Sequence, residues 1–172
     1  RYPSGGSSIA VSEVLLSDHK KTATIYLNSV NAALSADYDY EISLSSSITD
    51  LQGLSIDSGS RKIEFTGTDI DLTQFEIIAQ SVSPDNKTIT LVTSNPIKNT
   101  SISIDCFDIT GADYGKSSSD KVEISDRTIK ITLRNALRSN DVVTIKLANT
   151  SRTIRDLNNQ QLKMEEVEIV TN

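Results

Sequence analysis

Asp69 and Asp71 stand two positions apart in Gly67-Thr68-Asp69-Ile70-Asp71-Leu72-Thr73, between the apolar-alternating runs at 62–65 and 75–78. Two carboxylates at a junction are hard oxygen donors, and Ca²⁺, which takes about six to eight oxygens, is the ion they suit. The sequence therefore carries one metal expectation, calcium at Asp69 and Asp71, beside the plainer reading of a solvated linker, because the spacing matches no EF-hand loop. Other chemistry is thin. His19, the single histidine, lies in Ser17-Asp18-His19-Lys20, and no spacing supplies it with a nucleophile and an orienting group. Glu165 with Glu166, and Asp37 with Asp39, are adjacent or alternate carboxylates, which on strands form solvated faces rather than a glycosidase pair. Cys106 falls on the apolar side of Ile102-Ser103-Ile104-Asp105-Cys106 and reads as a buried, inert thiol. These residues point away from an enzyme and from any other cofactor.

The bulk of the chain narrows the partners. A formal charge of −6 and a pI near 4.8 oppose nucleic-acid binding, which needs Lys and Arg to neutralise phosphates. No run approaches the roughly 20 apolar residues of a membrane helix, so membrane insertion is not expected. Residues 1–8 lack an apolar signal core and read as linker. With a single Cys no intrachain disulfide forms. There is no Trp for a sugar platform; Tyr38 and Tyr40 alternate in phase with Ile42 and Leu44 and are expected in the core, leaving Tyr2, Tyr26 and Tyr114 as candidates for exposure. Asn86, Asn99 and Asn149 head Asn-x-Ser/Thr triplets, which a chain this rich in Ser and Thr produces by chance.

The elements that must position these residues are short strands. Ile89 with Leu91, Ile102 with Ile104, Ile129 with Ile131 and Leu133, Val143 with Ile145 and Leu147, and Val167 with Ile169 alternate with period two between turn-forming clusters. Residues 28–36 have room for one helical turn and no more. The chain also echoes itself. Ser17-Asp18-His19-Lys20-Lys21-Thr22-Ala23-Thr24-Ile25-Tyr26-Leu27, leading to Ile48-Thr49-Asp50-Leu51-Gln52-Gly53-Leu54, returns as Ser125-Asp126-Arg127-Thr128-Ile129-Lys130-Ile131-Thr132-Leu133, leading to Ile154-Arg155-Asp156-Leu157-Asn158-Asn159-Gln160. Asp50 and Asp156 are 106 positions apart, near the common size of one domain. The expected organisation is all-β: tandem immunoglobulin-like antiparallel β-sandwiches, with a truncated or short module at 1–72 and a complete one of about seven strands at 73–172. In each loop the Asp is expected to accept backbone N–H bonds, with Gly53 or Asn159 supplying a positive φ.

Ser81-Val82-Ser83-Pro84-Asp85-Asn86-Lys87-Thr88-Ile89-Thr90-Leu91 followed by Ser94-Asn95-Pro96-Ile97, and the two Ile-x-Asp-Leu loops after Tyr38–Ile42 and Val142–Leu147, resemble the bacterial immunoglobulin-like modules of surface-layer and other large cell-surface proteins, the SbsA-type Ig-like domain. The second unit carries Asn159 where that pattern has Gly, and the first lacks its Val-x-x-Val-x-Pro opening. The resemblance implies a secreted protein of the bacterial cell surface or cell wall, serving as spacer, stalk or lattice element, with neighbouring modules or lattice subunits as partners. Two alternatives stand beside it: an adhesion module for a host protein or glycan, working through a sheet face or an unpaired edge, and a non-catalytic accessory domain of a secreted polysaccharide-degrading enzyme.

Overall fold

The structure is a computed structural model that describes residues 8–28, 34–68, 74–98, 102–111, 113–148 and 153–172. Among them are eleven strands and two short 3₁₀ turns: β1 (Val11–Leu16), β2 (Ala23–Leu27), β3 (Asp39–Ser43), β4 (Lys62–Thr66), β5 (Ile77–Val82), β6 (Thr88–Thr93), β7 (Phe107–Thr110), β8 (Lys121–Ser125), β9 (Thr128–Thr132), β10 (Val142–Leu147) and β11 (Val167–Val170). The fold is all-β and the named strand pairs are antiparallel. The chain separates into two units, Arg1–Val11 with Leu27–Leu72, and Ser12–Tyr26 with Thr73–Asn172.

The larger unit contains a four-stranded sheet in the order β5-β6-β9-β8 and a three-stranded sheet in the order β11-β10-β7. The inward positions of β6, β9 and β10 (Ile89, Leu91, Ile129, Ile131, Val143, Ile145) are fully buried, and they share one core with Phe107, Ile109 and Ile169. Threonines and lysines alternate onto the outer faces, as period-two packing of two facing sheets requires. The same unit includes the β1–β2 hairpin, where Lys98 Nζ reaches the Ser12 carbonyl (3.4 Å) and hydroxyl (3.3 Å).

Two strand assignments shift. The Ile102–Ile104 alternation is not a strand: Ile104–Cys106 forms a 3₁₀ turn that buries Ile104 and Cys106 and feeds β7. Alternation over three positions cannot distinguish a strand from a turn of three residues per repeat. The strand expected at Phe75 begins at Ile77; Phe75 itself is a buried plug whose carbonyl accepts the Lys163 N–H at 2.9 Å.

In the smaller unit β3 pairs with β4 in the register Asp39↔Thr66 to Ser43↔Lys62. Tyr40 is buried there and stacks on Phe65 with centroids 5.7 Å apart. Tyr38, expected in the core, is 46% exposed, whereas Tyr26 and Tyr114 are half-buried. Tyr38 precedes β3, so the strand's alternation does not extend back to it. Tyr2 lies outside the described residues, as do residues 29–33 of the 28–36 stretch with room for a helical turn.

Candidate functional site

The residues with the most specific geometry are the two aspartate loops. In the smaller unit Asp50 Oδ1 accepts the N–H groups of Gln52 (2.9 Å) and Leu54 (2.8 Å). The Asp50 N–H donates to the Leu54 carbonyl at 2.9 Å, Gly53 N–H donates to the Asp50 carbonyl at 3.1 Å, and Gly53 takes φ +85°. In the larger unit Asp156 Oδ1 accepts Gln160 N–H at 2.6 Å, Asp156 N–H donates to the Gln160 carbonyl at 3.0 Å, Asn159 N–H donates to the Asp156 carbonyl at 2.9 Å, and Asn159 takes φ +63°. The flanking bridges, Thr49↔Ser55 and Arg155↔Gln161, correspond as well. Every one of these positions is related by the same 106-residue step, so the echo in sequence is one backbone conformation used twice. Asparagine tolerates the left-handed region well enough to stand in for glycine at 159.

The step of 106 also carries Thr22 to Thr128 and Leu27 to Leu133, so β2 corresponds in sequence to β9, while Ser17 and Ser125, 108 positions apart, make the end of β1 the counterpart of the end of β8. Their turns differ. Asp126-Arg127 closes the second hairpin in two residues, whereas the first spans four, with Lys20 at φ +53° and Ser17 N–H donating to Thr22 at 2.9 Å. That longer turn copies the one at Ser83, where Asn86 takes φ +54° and Ser83 N–H donates to Thr88 at 2.8 Å.

What differs between the two aspartate loops is their cover. Asp156 is fully buried; its Oδ2 accepts the amide of Asn95 at 2.9 Å and that of Gln160 at 3.2 Å. Leu157 N–H donates to the Pro96 carbonyl at 3.1 Å, and Lys98 N–H donates to the Arg155 carbonyl at 2.9 Å. Ile154, Leu157 and Leu162 are buried around it. Asp50 is exposed, and Leu51 and Leu54 stand 84% and 68% open to solvent. Sequence reasoning saw both loops as equivalent and missed the Asn95 clamp, because its two partners lie 61 residues apart.

Elsewhere, polar networks hold structure together. Asp120 accepts from the Tyr114 hydroxyl (3.0 Å), Ser117 N–H (2.8 Å) and Arg134 N–H (2.7 Å), and burial together with that carboxylate pushes the Tyr114 phenol well above its usual range. Asn86 is buried, its amide donating to the Asn172 carbonyl (2.8 Å) and accepting Asn172 N–H (3.0 Å), so its place in an Asn-x-Thr triplet has no accessible acceptor to match. Hydrogen bonds from Ser43 and then from Lys62 hold Glu41 below the ordinary carboxylate value, and Ser83 with the Lys87 N–H does the same for Asp85.

The candidate chemical residues do not converge. His19 sits on the β1–β2 turn beside a shallow open depression lined with Ser17, Lys21 and Thr22. Cys106 is buried and unpaired by any disulfide. Asp69 and Asp71 lie outside the described residues, as do Asn99 and Asn149. Among the described residues no three His, Cys, Asp or Glu side chains cluster as metal ligands, and no helix is long and apolar enough to cross a membrane.

No family model matches the chain, and no curated protein matches it. Among solved structures it is similar in part to the S-layer protein rSbsC(31-844), with a TM-score of 0.47 and 16% identity, over 58% of this chain and 14% of that one. It is similar also to the N-terminal part of the bacterial S-layer protein SbsC, with a TM-score of 0.46 and 17% identity, over 58% of this chain and 24% of that one. The matched region thus spans under a quarter of either S-layer chain.

Proposed function

We propose that the chain is a pair of immunoglobulin-like modules from a bacterial cell-surface protein, with a non-catalytic role as spacer, stalk or lattice element. The observation that carries this reading is the recurrence of the aspartate loop 106 residues apart, with the same two backbone bonds and the same bond from the N–H four residues on to the aspartate Oδ1. A module copied within one chain is the mark of an array, and arrays act by spacing and by presenting surfaces. The immunoglobulin assignment draws on strand order: β5-β6-β9-β8 facing β11-β10-β7 has the sequence of the ABED and CFG sheets of a seven-stranded constant-type sandwich. The motif resemblance of Ser94-Asn95-Pro96-Ile97 and of the two Ile-x-Asp-Leu loops supports the cell-surface location, with neighbouring modules or lattice subunits as partners.

An antiserum against residues 1–172 tests the location. Labelling of intact, unpermeabilised cells that make the protein is expected; labelling that appears only after permeabilisation refutes it. Calcium at Asp69 and Asp71 is part of the same proposal, and calorimetry of the chain with and without millimolar Ca²⁺ decides it. A higher unfolding midpoint with the ion is expected, and an unchanged midpoint removes calcium from the joint.

A further inference from the structure

We propose that the free edge of β8 is a contact between copies of this chain, in which two β8 strands pair antiparallel about a two-fold axis at Val122. β8 ends the four-stranded sheet and pairs with β9 alone among the described residues, whereas β5 at the opposite end has β11 beside it. The direction of its backbone groups follows from its neighbours. Thr93 N–H donates to the Arg127 carbonyl and Leu133 N–H to the Lys87 carbonyl, both at 2.8 Å, so the odd-numbered residues of β9 bond to β6 and the even-numbered ones to β8. Thr128, Lys130 and Thr132 thus bond to Ser125, Glu123 and Lys121. The N–H and C=O groups of Val122 and Ile124 are left pointing to the open side, and a sheet edge of that kind accepts another strand.

Charge decides which strand fits. Lys121 and Glu123 are exposed on the outer face, while Val122 and Ile124 are half-buried on the inner one and pack against the core. With the axis at Val122, Lys121 of each copy stands opposite Glu123 of the other. Moving the axis one residue, to Glu123, sets the two glutamates against each other, and like charges directly opposite are destabilising. In the favoured register Glu123 lies between Lys130 of its own β9 and Lys121 of the second copy, so this row of the joined sheet alternates in sign. Val122 meets Val122 on the inner face, with N–H and C=O exchanged across the axis. A two-fold contact requires a surface that complements itself, and Lys121-Val122-Glu123 does so when reversed. Charges that keep an edge from pairing indiscriminately here match a second copy. The contact rests on the larger unit alone and needs no cell-surface location.

The test is analytical ultracentrifugation of residues 1–172 at low salt, with amide spectra recorded on the same samples. The average mass is expected to rise from one chain toward two between about 0.02 and 1 mM, since a single strand pair buries less than the roughly 1,200 Å² of a stable interface. The Val122 and Ile124 amides are expected to shift with it. Lys121→Glu and Glu123→Lys, both at exposed positions, each set like charges opposite one another and are expected to weaken association about tenfold or more while keeping the folded spectrum. An equimolar mixture of the two variants puts opposite charges back in register and is expected to regain association. A mass that stays at one chain up to about 1 mM overturns the proposal. So do single variants that associate unchanged, a mixture that fails to associate, or association that leaves the Val122 and Ile124 amides unmoved.

Discussion

Replacing each loop aspartate with alanine separates what the shared conformation contributes from what burial contributes. Asp156→Ala removes the acceptor for Gln160 N–H (2.6 Å) and for the Asn95 amide (2.9 Å) at a fully buried site. Each buried donor left without a partner costs about 1–3 kcal/mol, so the variant is expected to lose about 3–5 kcal/mol, a large part of a domain's stability. Asp50→Ala removes two bonds, from Gln52 and Leu54, at an exposed site where solvent replaces the carboxylate. Its loss is expected near 0.5–1 kcal/mol, as for an exposed cap. Urea unfolding followed by far-UV circular dichroism reads the difference. With a slope of about 2 kcal/mol per molar, Asp156→Ala moves its transition by roughly 2 M and Asp50→Ala by less than about 0.5 M. A double-mutant cycle with Asn95→Ala assigns the coupled share, expected at about 1–3 kcal/mol. Equal shifts for the two variants, or a cycle that closes to zero, refute the claim that the Asn95 clamp gives Asp156 its weight.

Ile131→Asp places a charge in a fully buried position and is expected to unfold the larger unit, seen as loss of dispersed amide resonances, while Lys130→Asp, facing Glu123 across β8–β9, costs only about 0.2–1 kcal/mol of like-charge repulsion. Gly111 has φ +114°, and a Cβ there would meet the Val142 carbonyl oxygen at 2.4 Å; Gly111→Ala is expected to cost about 2 kcal/mol and lower the unfolding midpoint by roughly 10 °C by calorimetry. Glu41 is expected to titrate below 4.5 by carboxyl NMR and to return toward it in Ser43→Ala. Because its folded pKa is the lower one, the stability it contributes is present above 4.5 and fades as pH falls through the folded value.

Local signals in the sequence reached the structure well. The alternation of Ile89 with Leu91 and of Ile129 with Ile131 named fully buried pairs, and the Asp-to-Gly spacing in Asp50-Leu51-Gln52-Gly53 specified a turn whose bonds and positive φ both formed. These features depend on neighbours within five residues. What escaped was non-local: the clamp between Asn95 and Asp156, the plug Phe75, and the exposure of Leu51, each decided by which distant segment covers the residue. The calcium pair Asp69 and Asp71 falls outside the described residues.

The aspartate loop takes one shape bare at Asp50 and covered at Asp156, so packing does not mould it. A turn that closes over five residues has little entropy to overcome, whereas the Asn95 contact must close 61 positions of chain. During folding, the short element therefore stands ready first and the distant strand segment arrives on a finished template. Contact range thus favours an order of assembly in which local closure at Asp156 comes first and capture of Asn95 follows.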